Sequence, residues 1–308
     1  MKLFKSITNC YNKMSVFGKI LLFVVLLLIV VSLFKKVFGR EIEGFTDETR
    51  FLFKNGDAIY DDFYASVYDF LVFNQLKNDY EVGVIINSAF ANEQSVIADI
   101  GCGTGHHVNE LTNRLSNDLS IVGIDRSPAM IQKAKELYPN LQFKLGNALE
   151  ESLFQPSSLT HILCLYFTIY DIQEKYFFFK NCMQWLMPGG YFIVHLVDKT
   201  NLSSPIINPM HPLYVVQQNG TMKTKAQWDD FSYNMTSNID NTSNVSTLEE
   251  TFKFSNGRVR KQDHTLYIED VSTIVNLAQD AGFLLHAKID MNDISYPNQY
   301  LYIFVKPN

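Results

Sequence analysis

Three glycines and two acids, set around a pair of short apolar runs, carry the chemistry that this chain shows most plainly. Residues Val96 to Gly105 read Val-Ile-Ala-Asp-Ile-Gly-Cys-Gly-Thr-Gly, and Val122-Gly-Ile-Asp125 follows about twenty residues later. An apolar run that stops at a glycine cluster predicts a buried parallel strand turning sharply into a helix; Gly101, Gly103 and Gly105 let the backbone come close to a ligand. Ile121 to Ile124 predict a second strand, which ends in an acid. In α/β nucleotide sites such an acid hydrogen-bonds ribose hydroxyls at the carboxyl ends of the strands. The spacing therefore points to an adenosine-like ligand. A dinucleotide fingerprint would read G-x-G-x-x-G and face a pyrophosphate. Here the third glycine comes one residue early, and Asp99 suits a cationic amino group better than a phosphate.

The Asp-x-Gly-x-Gly-x-Gly pattern resembles motif I of the class I S-adenosylmethionine-dependent methyltransferases, small-molecule enzymes of the type 11/25 kind in particular. That resemblance covers roughly Tyr60 to Asp198, with a weaker match at the C-terminus. It implies an α/β fold, a seven-stranded Rossmann-like sheet, parallel but for one antiparallel C-terminal strand and flanked by helices. S-adenosylmethionine would be the cofactor, S-adenosylhomocysteine the product, and no metal would be needed. Asp99 and the loop of Gly101, Cys102, Gly103, Thr104 and Gly105 would hold the methionine end. Asp125 and Arg126 would lie at the ribose, with Asn147, Ala148 and Leu165 near the adenine and the transferred methyl. The family usually has an acid where Asn147 stands; an amide oxygen accepts the same hydrogen bond without the charge.

Elements that must position these groups can be read along the chain. Ile20 to Phe34 is an almost wholly apolar run, extended to Val16 if Lys19 snorkels, which is near the lower limit for crossing a bilayer. A signal peptide and a buried helix are the competing readings. The expected organisation is an N-terminal membrane anchor over 1–39 (helix about 16–34), a linker over 40–57, and a methyltransferase domain over 58–308. Positive residues flank both sides of the apolar run, so charge does not orient it. Because adenosylmethionine is made in the cytosol, a single-pass membrane protein with a cytosolic catalytic domain is expected.

Tyr60, Tyr64 and Tyr68 recur at four-residue spacing and predict one helix face. The resemblance implies that such tyrosines cover the cofactor; Tyr60 and Tyr64 are divided between core and site, and Tyr68 is assigned to packing. The carboxyl end of the strand Thr160 to Phe167 is where methyl and acceptor meet in this fold, so Leu165, Tyr166 and Tyr170 are candidates to line that junction. His195, near the end of the strand Tyr191 to Val197, and His264, on the returning arm of a hairpin about Asn256-Gly257, are candidate bases. Catalytic candidates are thus His195, Tyr60, Tyr166 and His264. Residues 199–268 read as an Asn- and Ser-rich insertion plus this hairpin, forming a lid on the acceptor side, with one aromatic island, Trp228 to Tyr233.

Composition sets the remaining bounds. The chain has 308 residues, 47% of them hydrophobic, and a net charge of −6, with no basic run to attract nucleic acid. The four cysteines show no C-x-x-C spacing, and adjacent His106 and His107 point about 100° apart on a helix, a poor metal geometry. The leading expectation is a membrane-tethered methyltransferase for a small-molecule or lipid-like acceptor. Protein or RNA methylation is an alternative, and a non-catalytic S-adenosylmethionine-binding scaffold is one of another class.

Overall fold

The structure is a computed structural model, and it describes residues 15, 17–20, 22–27, 50–199, 214–218, 221–238 and 243–308. The chain divides into two units, Met1–Glu43 and Gly44–Asn308. In the first, residues 17–20 and 22–27 are helical. No helix among the described residues is long and apolar enough to cross a membrane, and the rest of the expected anchor lies outside those residues.

The second unit begins its described part with β1 (Phe51–Asn55), α1 (Asp62–Val72) and α2 (Gln75–Ser88). Next come β2 (Val96–Ile100), α3 (His106–Leu115), β3 (Ser120–Asp125), α4 (Pro128–Leu137), β4 (Gln142–Leu145) and β5 (Leu159–Cys164). They are followed by α5 (Lys175–Trp185), β6 (Leu186–Val197), β7 (Tyr214–Gln218), β8 (Thr221–Gln227), β9 (Phe231–Asn238), β10 (Val245–Phe254) and β11 (Val259–Tyr267). The series ends with α6 (Val271–Asp280), β12 (Leu284–Asp290) and β13 (Gln299–Val305).

Seven strands form one sheet in the order β12-β13-β6-β5-β2-β3-β4. From β6 to β4 every neighbour is parallel, and β13 alone runs against its neighbours. This is the sheet that the resemblance implied. Its strands alternate faces, as the two-residue period demands. Ile97, Ile121, Leu163, Ile193 and Ile303 share one core cluster with Val82, Val108 and Ile131 from α2, α3 and α4. On the other face Phe178 and Phe179 of α5 pack on Phe192, with ring centroids 5.8 and 5.7 Å apart. Each such buried side chain contributes roughly 1.5–3 kcal/mol.

A second sheet was not visible in the sequence. Its six strands run β1-β11-β10-β9-β8-β7. The hairpin about Asn256-Gly257 is present as β10 and β11. Where the composition suggested a linker up to Asp57, Phe51–Asn55 instead pairs in parallel with β11. Where it suggested an irregular insertion, β7, β8 and β9 extend the hairpin as an antiparallel meander. The aromatic island is part of this sheet's core: Phe231 and Tyr233 are buried, and Phe63 of α1 meets Phe252 and Phe254 edge-on at 5.1 and 5.4 Å.

One buried cation ties α1 to the second sheet. Asp61 caps α1 by accepting the Tyr64 N–H at 3.1 Å. Arg260 of β11, 1% exposed, donates to both Asp61 oxygens at 2.8 Å and to the Ile59 carbonyl at 2.8 Å. The tyrosine-bearing helix is therefore fixed across from the carboxyl ends of the seven-stranded sheet.

Candidate active site

β2 ends at Ile100 and the chain turns through Gly101, Gly103 and Gly105, all with positive φ, before α3 begins. The Gly101 and Cys102 N–H groups donate to the Ile124 carbonyl at 2.8 and 3.0 Å, which docks the loop onto β3. Glycine is required at two of these positions. A Cβ on Gly101 would lie 2.3 Å from the Thr168 side chain, and one on Gly105 would lie 2.6 Å from the Phe143 ring. The Asp125 carboxylate accepts from the Gly103 N–H at 3.0 Å and from the Ser127 N–H at 2.9 Å.

A cavity of about 360 Å³ opens over these strand ends. Asp125, Arg126, Asn147 and Ala148 line one side, Tyr60, Tyr64 and Tyr68 another, and His264 of β11 the side facing the second sheet. A smaller cavity of about 70 Å³ adjoins it, lined by Asp99, Cys102, Thr104 and Leu165 together with Lys77 and Glu81 of α2. Gly101, Gly103, Tyr68 and Tyr166 border both. Of the eleven residues expected at the cofactor, only Gly105 lines neither cavity; it seats the first turn of α3 against Phe143.

These strand ends belong to a stretch with a known likeness in sequence: residues 97–190 match a family described as "Methyltransferase domain". In sequence this stretch is similar to a methyltransferase domain. A protein of Invertebrate iridescent virus 6 assigned as methyltransferase 235L is 30% identical over 153 residues, 49% of this chain and 50% of its own length. Carboxy-S-adenosyl-L-methionine synthase of Staphylococcus epidermidis is 32% identical over 127 residues, 41% of this chain and 54% of its own. The chain thus spans about half the length of the curated relatives it matches. In fold it is similar to the CcbJ methyltransferase of Streptomyces caelestis, with a TM-score of 0.61, 16% identity, and coverage of 82% of this chain and 99% of that one.

The atoms lining the two cavities fit S-adenosylmethionine. Asp99 is 2% exposed and its Oδ2 has no hydrogen-bond partner among the described residues. Burial pushes its carboxyl up to about 7. A buried carboxylate with an unpartnered oxygen beside a cavity calls for a cation, which the ligand's α-ammonium would supply. Lys77 and His107 both pair with Glu81 on the opposite wall, the latter at 2.8 Å. Asp125 keeps lone pairs for ribose hydroxyls beside its two backbone donors. Asn147 uses its Oδ1 to accept the Leu149 N–H at 3.0 Å, so the side chain shapes its own turn at the cavity wall.

Three expectations about the acceptor side need correction. His195 is fully buried and lines neither cavity; its Nδ1 bonds the Tyr166 carbonyl. Burial, with Lys77 nearby, holds its pKa down to about 4, so it is neutral. It secures Tyr166, whose φ of 55° is unusual for a residue with a Cβ. Tyr170 is likewise buried, accepting the Val197 N–H at 2.8 Å. Tyr68, assigned to packing, instead borders both cavities against Gly103.

The structure brings His264, Tyr60 and Asp171 together. The Tyr60 hydroxyl donates to Asp171 Oδ2 at 3.2 Å, and its ring lies 5.9 Å from the His264 ring, edge-on. His264 Nε2 meets Glu250 Oε2 of β10 at 2.6 Å. Glu250, Asp171, Lys77 and Glu81 escaped sequence reasoning. Glu250 and His264 lie on neighbouring strands, each at one of its strand's alternating buried positions, a signal that pairs them only once the register is known.

Proposed function

We propose that the chain is an S-adenosylmethionine-dependent methyltransferase acting on a small-molecule acceptor held between its two sheets. The observation that carries this reading is the continuous cavity from Asp125 and the glycine loop to Tyr60 and His264. A volume of about 360 Å³ suits a nucleoside end and a small acceptor; it does not suit a folded macromolecule. The net charge of −6 supports a partner other than nucleic acid.

Bound S-adenosylmethionine supplies a methyl on a sulfonium, a leaving group good enough that positioning dominates. Aligning methyl and acceptor can account for roughly 7–11 kcal/mol of the barrier. Asp99 would anchor the ammonium end, Asp125 the ribose, and the turn at Asn147 and Ala148 the adenine edge. Tyr68 and Tyr166 border both cavities, so they flank the junction between methionine end and acceptor. Tyr60 and Tyr64 exclude water from the other side.

Calorimetric titration of the full chain with S-adenosylmethionine and S-adenosylhomocysteine tests the reading, with Asp125→Ala as control. Micromolar binding that the control loses is expected; a folded protein that binds neither ligand would overturn it. A membrane tether through the run Ile20 to Phe34 rests on the sequence alone, and flotation of the full chain with liposomes checks it.

A further inference from the structure

Building on the proposed methyltransferase activity, we infer that the acceptor is an amine. It would enter as an ammonium on Asp171 and give its proton to His264, which Glu250 orients. The cavity's charge carries the first half. Its acidic and basic lining comprises Asp125, Asp171 and Glu174 against Arg126 and His264, with no lysine among the described lining residues. Arg126 is already paired with Asp57 at 3.1 Å, and His264 with Glu250 at 2.6 Å. The net excess is negative at the end away from Asp99. Burial, the largest effect, raises the Asp171 carboxyl, and among the described residues its hydrogen bond comes from Tyr60. A cation beside it would restore the carboxylate, and the Tyr60 and Tyr64 rings offer faces to the same cation.

An ammonium has no lone pair, so a nitrogen acceptor must first lose a proton. His264 is placed for this. Its Nε2 faces Glu250 on the sheet side, which fixes the tautomer and leaves Nδ1 as the ring nitrogen for the cavity. Glu250 is itself held by Tyr233 and Gln262, so the pair is rigid. The groups facing His264 are Glu250 and Tyr233 from the sheet, Arg260 and Gln262 on its own strand, and Asp171, Tyr60 and Tyr64 across the cavity. Glu250 and Asp171 raise the imidazole's pKa above 6.5 while burial and Arg260 oppose them, and the net direction is up. In the balanced step the ammonium N–H proton passes to His264 Nδ1. The nitrogen lone pair then forms the N–C bond as the S–C bond breaks, and the bonding pair stays on sulfur. The products are the methylated ammonium and S-adenosylhomocysteine, and His264 returns its proton to solvent.

The experiment uses the full chain saturated with S-adenosylmethionine and two matched probe pairs, benzylamine with benzyl alcohol and glucosamine with glucose. S-adenosylhomocysteine release is the readout. Release with at least one amine and with neither alcohol is expected. Turnover of an alcohol as fast as its amine, or of no amine by protein that binds the cofactor calorimetrically, overturns the inference and leaves the cofactor reading standing. Absence of calorimetric binding overturns both. With the active amine, kcat should rise with pH through a midpoint above 6.5. His264→Gln should lower kcat about 10²–10⁴-fold and abolish that limb, and Asp171→Asn should raise KM for the amine at least about tenfold. Independently of turnover, the His264 C2 proton should titrate by NMR above 6.5 in the wild type and lower in Glu250→Gln. An unchanged midpoint in that variant would refute the orienting role.

Discussion

Replacing Asp99 by asparagine keeps the side chain's shape and removes its charge, which sets stability and ligand binding against each other. The carboxyl is 2% exposed, one of its oxygens lacks a partner among the described residues, and burial raises its pKa from 3.8 to about 7. The folded protein therefore keeps this proton up to about pH 7, whereas the unfolded chain releases it near 3.8. Between those values the native state binds more protons, so stability falls as pH rises. Some three pKa units at about 1.36 kcal/mol each make the full penalty about 4 kcal/mol, reached above pH 7. Asparagine escapes that penalty but strands an amide donor at about 1–3 kcal/mol. Thermal melts should thus show Asp99→Asn gaining about 1–3 kcal/mol over the wild type at pH 8, roughly 2–4 °C per kcal/mol. Near pH 4, where the wild-type carboxyl is protonated, that advantage should vanish. Calorimetry should show the opposite order for S-adenosylmethionine: wild-type affinity rises with pH toward 7, and the variant binds at least about tenfold more weakly. A variant that is less stable than the wild type at pH 8, or that binds the ligand equally well, would refute the reasoning.

Gly101→Ala should lose S-adenosylmethionine binding while remaining folded by circular dichroism, because its Cβ would lie 2.3 Å from Thr168 and force the loop from the ligand. Arg260→Met should lower stability by about 3–5 kcal/mol, read as a fall in the urea midpoint, because it leaves Asp61 and the Ile59 carbonyl without their buried partner. Loss of less than about 1 kcal/mol would show that α1 is held by packing alone. Cys102, Cys164 and Cys182 are buried with thiols that burial raises well above the usual range. Peptide mapping after iodoacetamide at pH 8 should find all three unmodified in the folded protein and labelled in urea.

What could be read in the sequence was local. Asp99, the glycine loop and Asp125 announce themselves because strand, turn and acid follow one another within thirty residues, and backbone geometry dictates glycine there. What escaped was assembled from afar. Arg260 meets Asp61 across 199 residues, and no spacing rule connects them. β7 and β8 are rich in Gln, Thr and Lys, so their alternation lacks the apolar contrast that marks a strand. His195 and His264 looked alike as strand histidines near the acceptor. Only the register showed that one lies under Tyr166 and the other beside Glu250. Tyr68 shares its helical stripe with Tyr64, and periodicity alone cannot say which rung borders a cavity.

The parallel pairing of β1 with β11 has a consequence for how the molecule is made. Phe51 to Asn55 leave the ribosome some two hundred residues before Val259 to Asp263, the strand they align with. At about 5–20 residues per second, that separation is on the order of 10–40 s of synthesis. Throughout that time β1 has no strand to join and Asp61 has no Arg260, while the parallel strands β2 to β5 already have one another. The half of the chamber built on the glycine loop can form early on the nascent chain, and the tyrosine wall is locked only when the second sheet arrives. A chain interrupted before Arg260 would therefore carry an intact glycine loop beneath an unfastened wall, a species for chaperones and proteases to recognise.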